Sequence, residues 1–418
     1  CYNIADTLII GRCLGPNALA AVGSSFTLMT FLTSILLGLC MGSGTVFSIR
    51  FGQRDQAGLR VGVFAAFALV AGLTVVLIAA AFATLKDIRL FLNVPGAVWG
   101  MMREYLFVIY TGILAVFLYN FFASFLRAVG NSVVPLAFLE VSALLNIVLD
   151  LWFVIGLEWG VPGAAAATVI SQYLSGLGIA VYSLIKFPQL RPGKQMRISL
   201  QSVKSISSFS VLTCVQQSVM NLGILMVQGL VNSFGPTVMA AFAAAVKVDA
   251  FAYMPVQDFG NAFSTFIAQN YGAGEKERIR KGLRSAVLAA FIFCTAVSLL
   301  VFIFAGLLMG LFVDAGESAI IAEGVAYLRI EGAFYWGIGC LFLLYGLYRG
   351  LGRPGMSVVL TAVSLGTRVA LAYILSGPVG VTGIWWSVPI GWVLADIVGL
   401  AYYMLKVKEP KIKGETQK

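Results

Sequence analysis

Again and again along its 418 residues, this chain runs for about twenty residues with almost no charge. That is the length a helix needs to cross the hydrocarbon core of a bilayer. Such runs cover 18–49, 61–84, 105–125, 133–156 and 163–186, then 206–231, 237–270, 285–310, 325–348, 356–376 and 382–405. A further apolar stretch, Cys1 to Ile10, is too short to span and is expected to be a first helix truncated at its N-terminus. The count is then six segments and six. Composition agrees, with 60% hydrophobic residues, 11% charged and a mean hydropathy of +0.93. So little charge cannot cover a water-facing surface, and the expected class is an all-α membrane protein with twelve transmembrane helices.

The two halves repeat one another. "LGPNALAAVG" at 14–23 is matched by "FGPTVMAAFA" at 234–243, and "FLRAVGNS" at 125–132 by "LYRGLGRP" at 347–354. Because six spans is an even number, both copies enter the membrane from the same side, and the axis relating them runs along the bilayer normal. The sequence therefore predicts two homologous six-helix bundles, 1–186 and 206–405, facing each other across a cleft that opens by alternating access. A proline- and lysine-bearing linker covers 187–205 and a basic tail 406–418. The long segments 18–49 and 237–270 occupy equivalent places, and Gly38, Gly42, Gly44, Pro255 and Gly260 predict bent or tilted helices there.

Net charge is +10, but the basic residues cluster in the loops after even-numbered segments, from Arg50 and Arg54 to Arg349 and Arg353, and in the tail. The opposite loops hold only Arg12, Lys86, Arg89 and Arg103. This asymmetry puts both termini in the cytoplasm and argues against a nucleic-acid partner. Six scattered cysteines and no histidine leave no metal set, so no metal and no cofactor are expected. Without H-E-x-x-H, G-x-S-x-G or a phosphate loop, an enzyme is not expected either. The absence of histidine also means that any proton coupling has to run through carboxylates.

With "ADTLIIGRCLGPNALAAVG" at 5–23, "LRAVGN" at 126–131, "NIVLD" at 146–150 and "GAAAAT" at 163–168, the chain resembles the MATE (multidrug and toxic compound extrusion) family over essentially its whole length, and in detail its DinF-like branch. The resemblance implies a V-shaped pair of lobes in a bacterial inner membrane. It also implies export of amphipathic, often cationic small molecules in exchange for protons, with sodium as the alternative ion. A lipid or lipid-linked oligosaccharide flippase of the same superfamily is the other reading, although such a cleft is usually lined with several bases. A monomer in the lipid bilayer is expected.

Polar residues inside the runs are the candidates for chemistry, since an ionised aspartate at mid-membrane costs roughly 2.5 to 3.5 kcal/mol on insertion scales. Asp6 lies in the first segment and looks like the family's first-helix aspartate. Asn146 and Asp150, four apart, share one helical face. With Asn120, Tyr105 and Thr168 they resemble the family's first-lobe network, and Asp6 and Asp150 are expected to share the coupling proton. The plainer alternative is polar glue between helices.

In the second half stand Lys247, Asp249, Asp258, Arg329, Glu331, Arg368 and Asp396. Here Lys247 is expected to neutralise Asp249 or Asp258, and Arg329 or Arg368 to neutralise Glu331, as structural pairs. The sodium-driven branch of the family places acids in its seventh and tenth helices, whereas 214–228 and 335–345 contain none. Gln216, Gln217, Met220, Gln228 and Asn232 are the candidate substrate-cleft residues, a mix of amides and adaptable apolar groups suited to many flat ligands.

Overall fold

The computed structural model describes residues 9–10, 13–88, 96–187, 200–314 and 316–406. The helices are α1 (Pro16–Gly52), α2 (Gln56–Ala83), α3 (Gly96–Thr111), α4 (Ile113–Ala128), α5 (Val133–Asp150) and α6 (Gly160–Lys186). Then come α7 (Leu200–Asn232), α8 (Pro236–Gly272), α9 (Lys276–Gly310), α10 (Ser318–Gly332), α11 (Tyr335–Gly350), α12 (Pro354–Ser376) and α13 (Val381–Lys406). Among the described residues nine helices are long and apolar enough to span, α5 being continued by a wider π turn at Leu151–Gly156. Two further spans are bent pairs, α3 with α4 at 40° and α10 with α11 at 51°. Each predicted run from 18 onwards therefore has its span. The first, Cys1–Ile10, lies outside the described residues apart from Ile9 and Ile10.

The repeat is visible in the backbone. The left-handed turn residues Gly15, Arg54, Gly130 and Gly160 have counterparts in Gly235, Gly274, Gly352 and Gly380, with φ between 57° and 96° throughout the set. Each closes a turn just before the next helix, where glycine meets the positive φ without strain. Arg54 (φ 57°) stands where the second copy has Gly274 (φ 75°). That turn is held by Asp55, which accepts hydrogen bonds from Gly58 N at 2.8 Å and from Arg50 at 2.7 Å and so caps α2.

The chain divides into two compact units, Cys1–Phe51 with Asp55–Gln217, and Gly52–Arg54 with Ser218–Lys418. In the first, α6 packs along α3, α4 and α5, while Phe47, Phe67, Phe117 and Phe121 form an aromatic cluster with centroids 5.3 to 6.0 Å apart. There α1 meets α7 through small residues. A Cβ on Gly38 would lie 2.6 Å from Cys214 Cα, and Ser43 hydrogen-bonds Ser210 across the contact at 2.8 Å.

In the second unit α8 packs on α11 and α10, and α12 on α13. The close approach of α8 to α11 rests on Gly260, where a Cβ would lie 2.8 Å from the Phe342 carbonyl oxygen. Arg349, buried in the last turn of α11, pins the crossing by donating to Ser264 Oγ at 3.1 Å and Asn261 Oδ1 at 2.9 Å on α8. At the other end Trp385 stacks on Phe242 at 5.5 Å and donates to Glu323 at 3.0 Å. Long apolar side chains such as Leu288, Phe291, Leu299 and Leu307 on α9 stay exposed, the surface expected of a helix facing lipid.

Candidate functional site

Polar side chains gather in two places, one in each unit. In the first, Asp150 is the last residue of α5 and is fully buried. Beyond it the helix widens into the π turn Leu151–Gly156, a geometry that recurs at functional positions because it inserts one residue into the helical ladder. Asn146, one turn earlier and 2% exposed, donates through Nδ2 to Thr168 Oγ1 on α6 at 3.3 Å. Asn146 Oδ1 is buried without a hydrogen-bond partner, which leaves an acceptor on the face that also carries Asp150.

Tyr105 packs against the apolar cluster of Ile10, Val22, Val154 and Ala164, and Val154 belongs to the π turn. Asn120 turns its amide back onto its own helix, donating to Val116 O at 2.8 Å. Asp6 lies outside the described residues. The structure thus brings Asn146, Asp150 and Thr168 together, with Tyr105 against the same turn and Asn120 engaged locally.

The second gathering has a different membership from the one the sequence suggested. Asp249 of α8 and Glu331 at the end of α10 face one another, ringed by Tyr327, Tyr335 and the Arg368 guanidinium of α12. Glu331 is 1% exposed, and Asp249 Oδ1, Glu331 Oε1, the Tyr335 hydroxyl and Arg368 Nε are buried without a well-formed hydrogen bond. Arg368 makes no contact with either acid short enough for an ion pair.

Lys247 does not neutralise Asp249, as expected above, but stands exposed over the Phe312 ring at 5.8 Å. Residues two apart point to different sides of a helix, which is why the pairing fails. For the same reason Arg329 leaves Glu331 and sits over Phe302 at 5.6 Å. Asp258, nine residues from Asp249 and so about half a turn round α8, is exposed and outside the cluster. The tenth span begins at Ser318, and Glu331 lies at its bend, just before the acid-free stretch 335–345. Tyr327 and Tyr335, absent from the sequence reading, carried a signal: each is four residues from Glu331.

Of the candidate cleft residues, Gln216 and Gln217 are buried in the first unit. Met220 accepts a hydrogen bond from Tyr253 Oη at 3.5 Å, and Gln228 donates to Asn232 at 2.8 Å within α7. Asp396, 4% exposed on α13, stands beside Cys340 of α11.

Among the described residues, up to eleven apolar spans, two of them bent, and acids buried within those spans define a polytopic helical membrane protein. The MatE family model matches residues 1–152 and 211–374, and the chain belongs to that family. It is 29% identical to the probable multidrug resistance protein YpnP of Bacillus subtilis, over 96% of this chain and 90% of that protein. Against the probable multidrug resistance protein NorM of Thermotoga maritima the identity is 26%, over 95% and 85%. The fold is similar to that of a MOP superfamily transporter from Pyrococcus furiosus, with a TM-score of 0.90 and 24% identity over 98% of this chain and 92% of the other. It is likewise similar to a MATE protein crystallised in the bent conformation, with a TM-score of 0.89 at the same identity and coverage.

Proposed function

We propose that this chain is a secondary active antiporter that exports amphipathic, often cationic compounds across a bacterial plasma membrane in exchange for protons, working as a monomer with both termini cytoplasmic. The names of its relatives support the multidrug reading. The observation that carries the coupling reading is Asp150, wholly buried at the junction of an α-helix and a π turn beside the Asn146–Thr168 bond. An acid in that place gains or loses charge only when its surroundings change, which is what coupling to a conformational cycle requires. Asp6 belongs to this proposal as its expected partner. Sodium is the alternative ion.

A second reading places the coupling in the Asp249–Glu331 pair, favoured by two carboxyls facing each other beside one arginine. Two adjacent carboxylates repel when both are charged, so the pair also has a charge state that surroundings can switch. Proteoliposomes taking up a fluorescent organic cation, driven by a pH gradient and then by a sodium gradient, separate these readings. Asp150→Asn should abolish pH-driven flux while the protein still inserts and elutes as a folded species. Loss of flux in Glu331→Gln with full flux in Asp150→Asn would move the coupling to the second unit. Flux driven by sodium alone would reject the proton.

A further inference from the structure

On the outer face of the second unit, α9, α11 and α13 enclose an apolar groove of about 280 Å³ that none of the polar gatherings uses. Its walls are Leu283 and Phe291 of α9, Trp336, Cys340 and Leu347 of α11, and Tyr403 of α13. Phe291 and Trp336 are 58% and 42% exposed, so the groove is open along its side. From Trp336 to Leu347 is eleven residues, about 16 Å of helix, close to half the ~30 Å hydrocarbon core. The groove thus runs the depth of one leaflet.

Its end is set by charge. One turn beyond Leu283 stands Arg280, with Arg284 beside it, and one turn beyond Tyr403 stands Lys406, all exposed. Arg353 is fixed at the same end, its guanidinium over the Tyr402 ring at 5.7 Å and donating to Tyr402 Oη and Lys406 O at 3.2 Å each. The acid of that first turn of α9, Glu277, is already paired with Lys281 at 2.8 Å. The opposite, deep end is closed by Trp336 and Cys340, and Asp396 sits behind Cys340, outside the wall. A cationic ligand would find no carboxylate among the lining residues, whereas an acyl chain needs none.

We propose that this groove binds an anionic phospholipid of the leaflet on the side of the basic loops, one acyl chain lying along α11 and the phosphate among Arg280, Arg284, Arg353 and Lys406. Basic residues near a membrane surface favour anionic headgroups by roughly five-fold each. The site is independent of how transport is coupled.

Trp336 gives the test a reporter. The full chain is reconstituted with phosphatidylglycerol or phosphatidylcholine carrying the same dibrominated acyl chains, and fluorescence quenching is compared with that of Trp336→Phe, so that the difference isolates Trp336. Phosphatidylglycerol should quench this component at several-fold lower mole fraction than phosphatidylcholine. Arg280→Gln with Lys406→Gln should reduce the preference by an order of magnitude or so while leaving quenching itself, and Ala290→Phe, which fills the α9 wall of the groove, should weaken quenching by both lipids. Equal quenching by the two lipids in the unmodified protein would overturn the proposal, as would a preference left undiminished by loss of both bases. Protection of Trp336 from either lipid would show a protein partner on this face and would overturn it as well.

Discussion

The crossing of α8 and α11 makes a quantitative claim about one missing methyl group. A Cβ added at Gly260 would lie 2.8 Å from the Phe342 carbonyl oxygen and 3.1 Å from both its carbonyl carbon and its Cβ. Two of those atoms are backbone, so no rotamer change relieves the contact, and the helices must separate by several tenths of an ångström. Arg349 opposes that separation through its bonds to Asn261 and Ser264 on the facing helix. Overpacking of a close interface costs typically about 1 to 3 kcal/mol. Gly260→Ala is therefore expected to lower the melting temperature of the detergent-solubilised protein by several degrees. The control is Gly366→Ala on α12, where an added Cβ meets nothing within 4 Å and a mid-helix glycine is replaced by a better helix former. That variant should melt at or slightly above the parent. Light-scattering or size-exclusion melts of the two side by side decide the matter. Equal melting temperatures would refute the argument that α11 is seated by the absence of a side chain at 260.

Asp55→Ala removes the cap of α2 and the Arg50 pair together. The cap is worth about 1 kcal/mol, while the ion pair, with both side chains 35% exposed, adds little more. A melt of Asp55→Ala that equals that of Asp55→Asn, which retains a capping oxygen, would count against the cap. Trp385→Phe keeps the stack on Phe242 but deletes the donor to Glu323, a loss of about 1 kcal/mol. The combination with Glu323→Ala should therefore cost less than the sum of the single variants in the same melt.

Most of the fold was legible because membrane helices must be both long and apolar. The run 237–270 became Pro236–Gly272, and 382–405 became Val381–Lys406. The bends were not legible. The fourth and tenth spans break at Gly112 and between Gly332 and Phe334, in stretches without proline, and a lone glycine is no sufficient mark, since Gly366 lies inside the unbroken α12. The π turn after Asp150 had no sequence mark either. Within the sites, Asn146 and Asp150 were readable from their four-residue spacing, which survives in any helix. The Asp249–Glu331 encounter was hidden because it depends on which faces of α8 and α10 meet. Two of the charge pairs suggested in its place, Lys247 with Asp249 and Arg329 with Glu331, joined residues two apart, and those diverge around the helix.

The bent spans carry one more implication. α4 and α11 are both sixteen residues long, and each has an arginine in its last turn, Arg127 and Arg349. Setting those two arginines opposite each other places Glu331 against Ile109. Both copies have thus inherited the elbow, but only one has an acid there, so whatever that carboxyl contributes is a speciality of one half that its twin cannot perform.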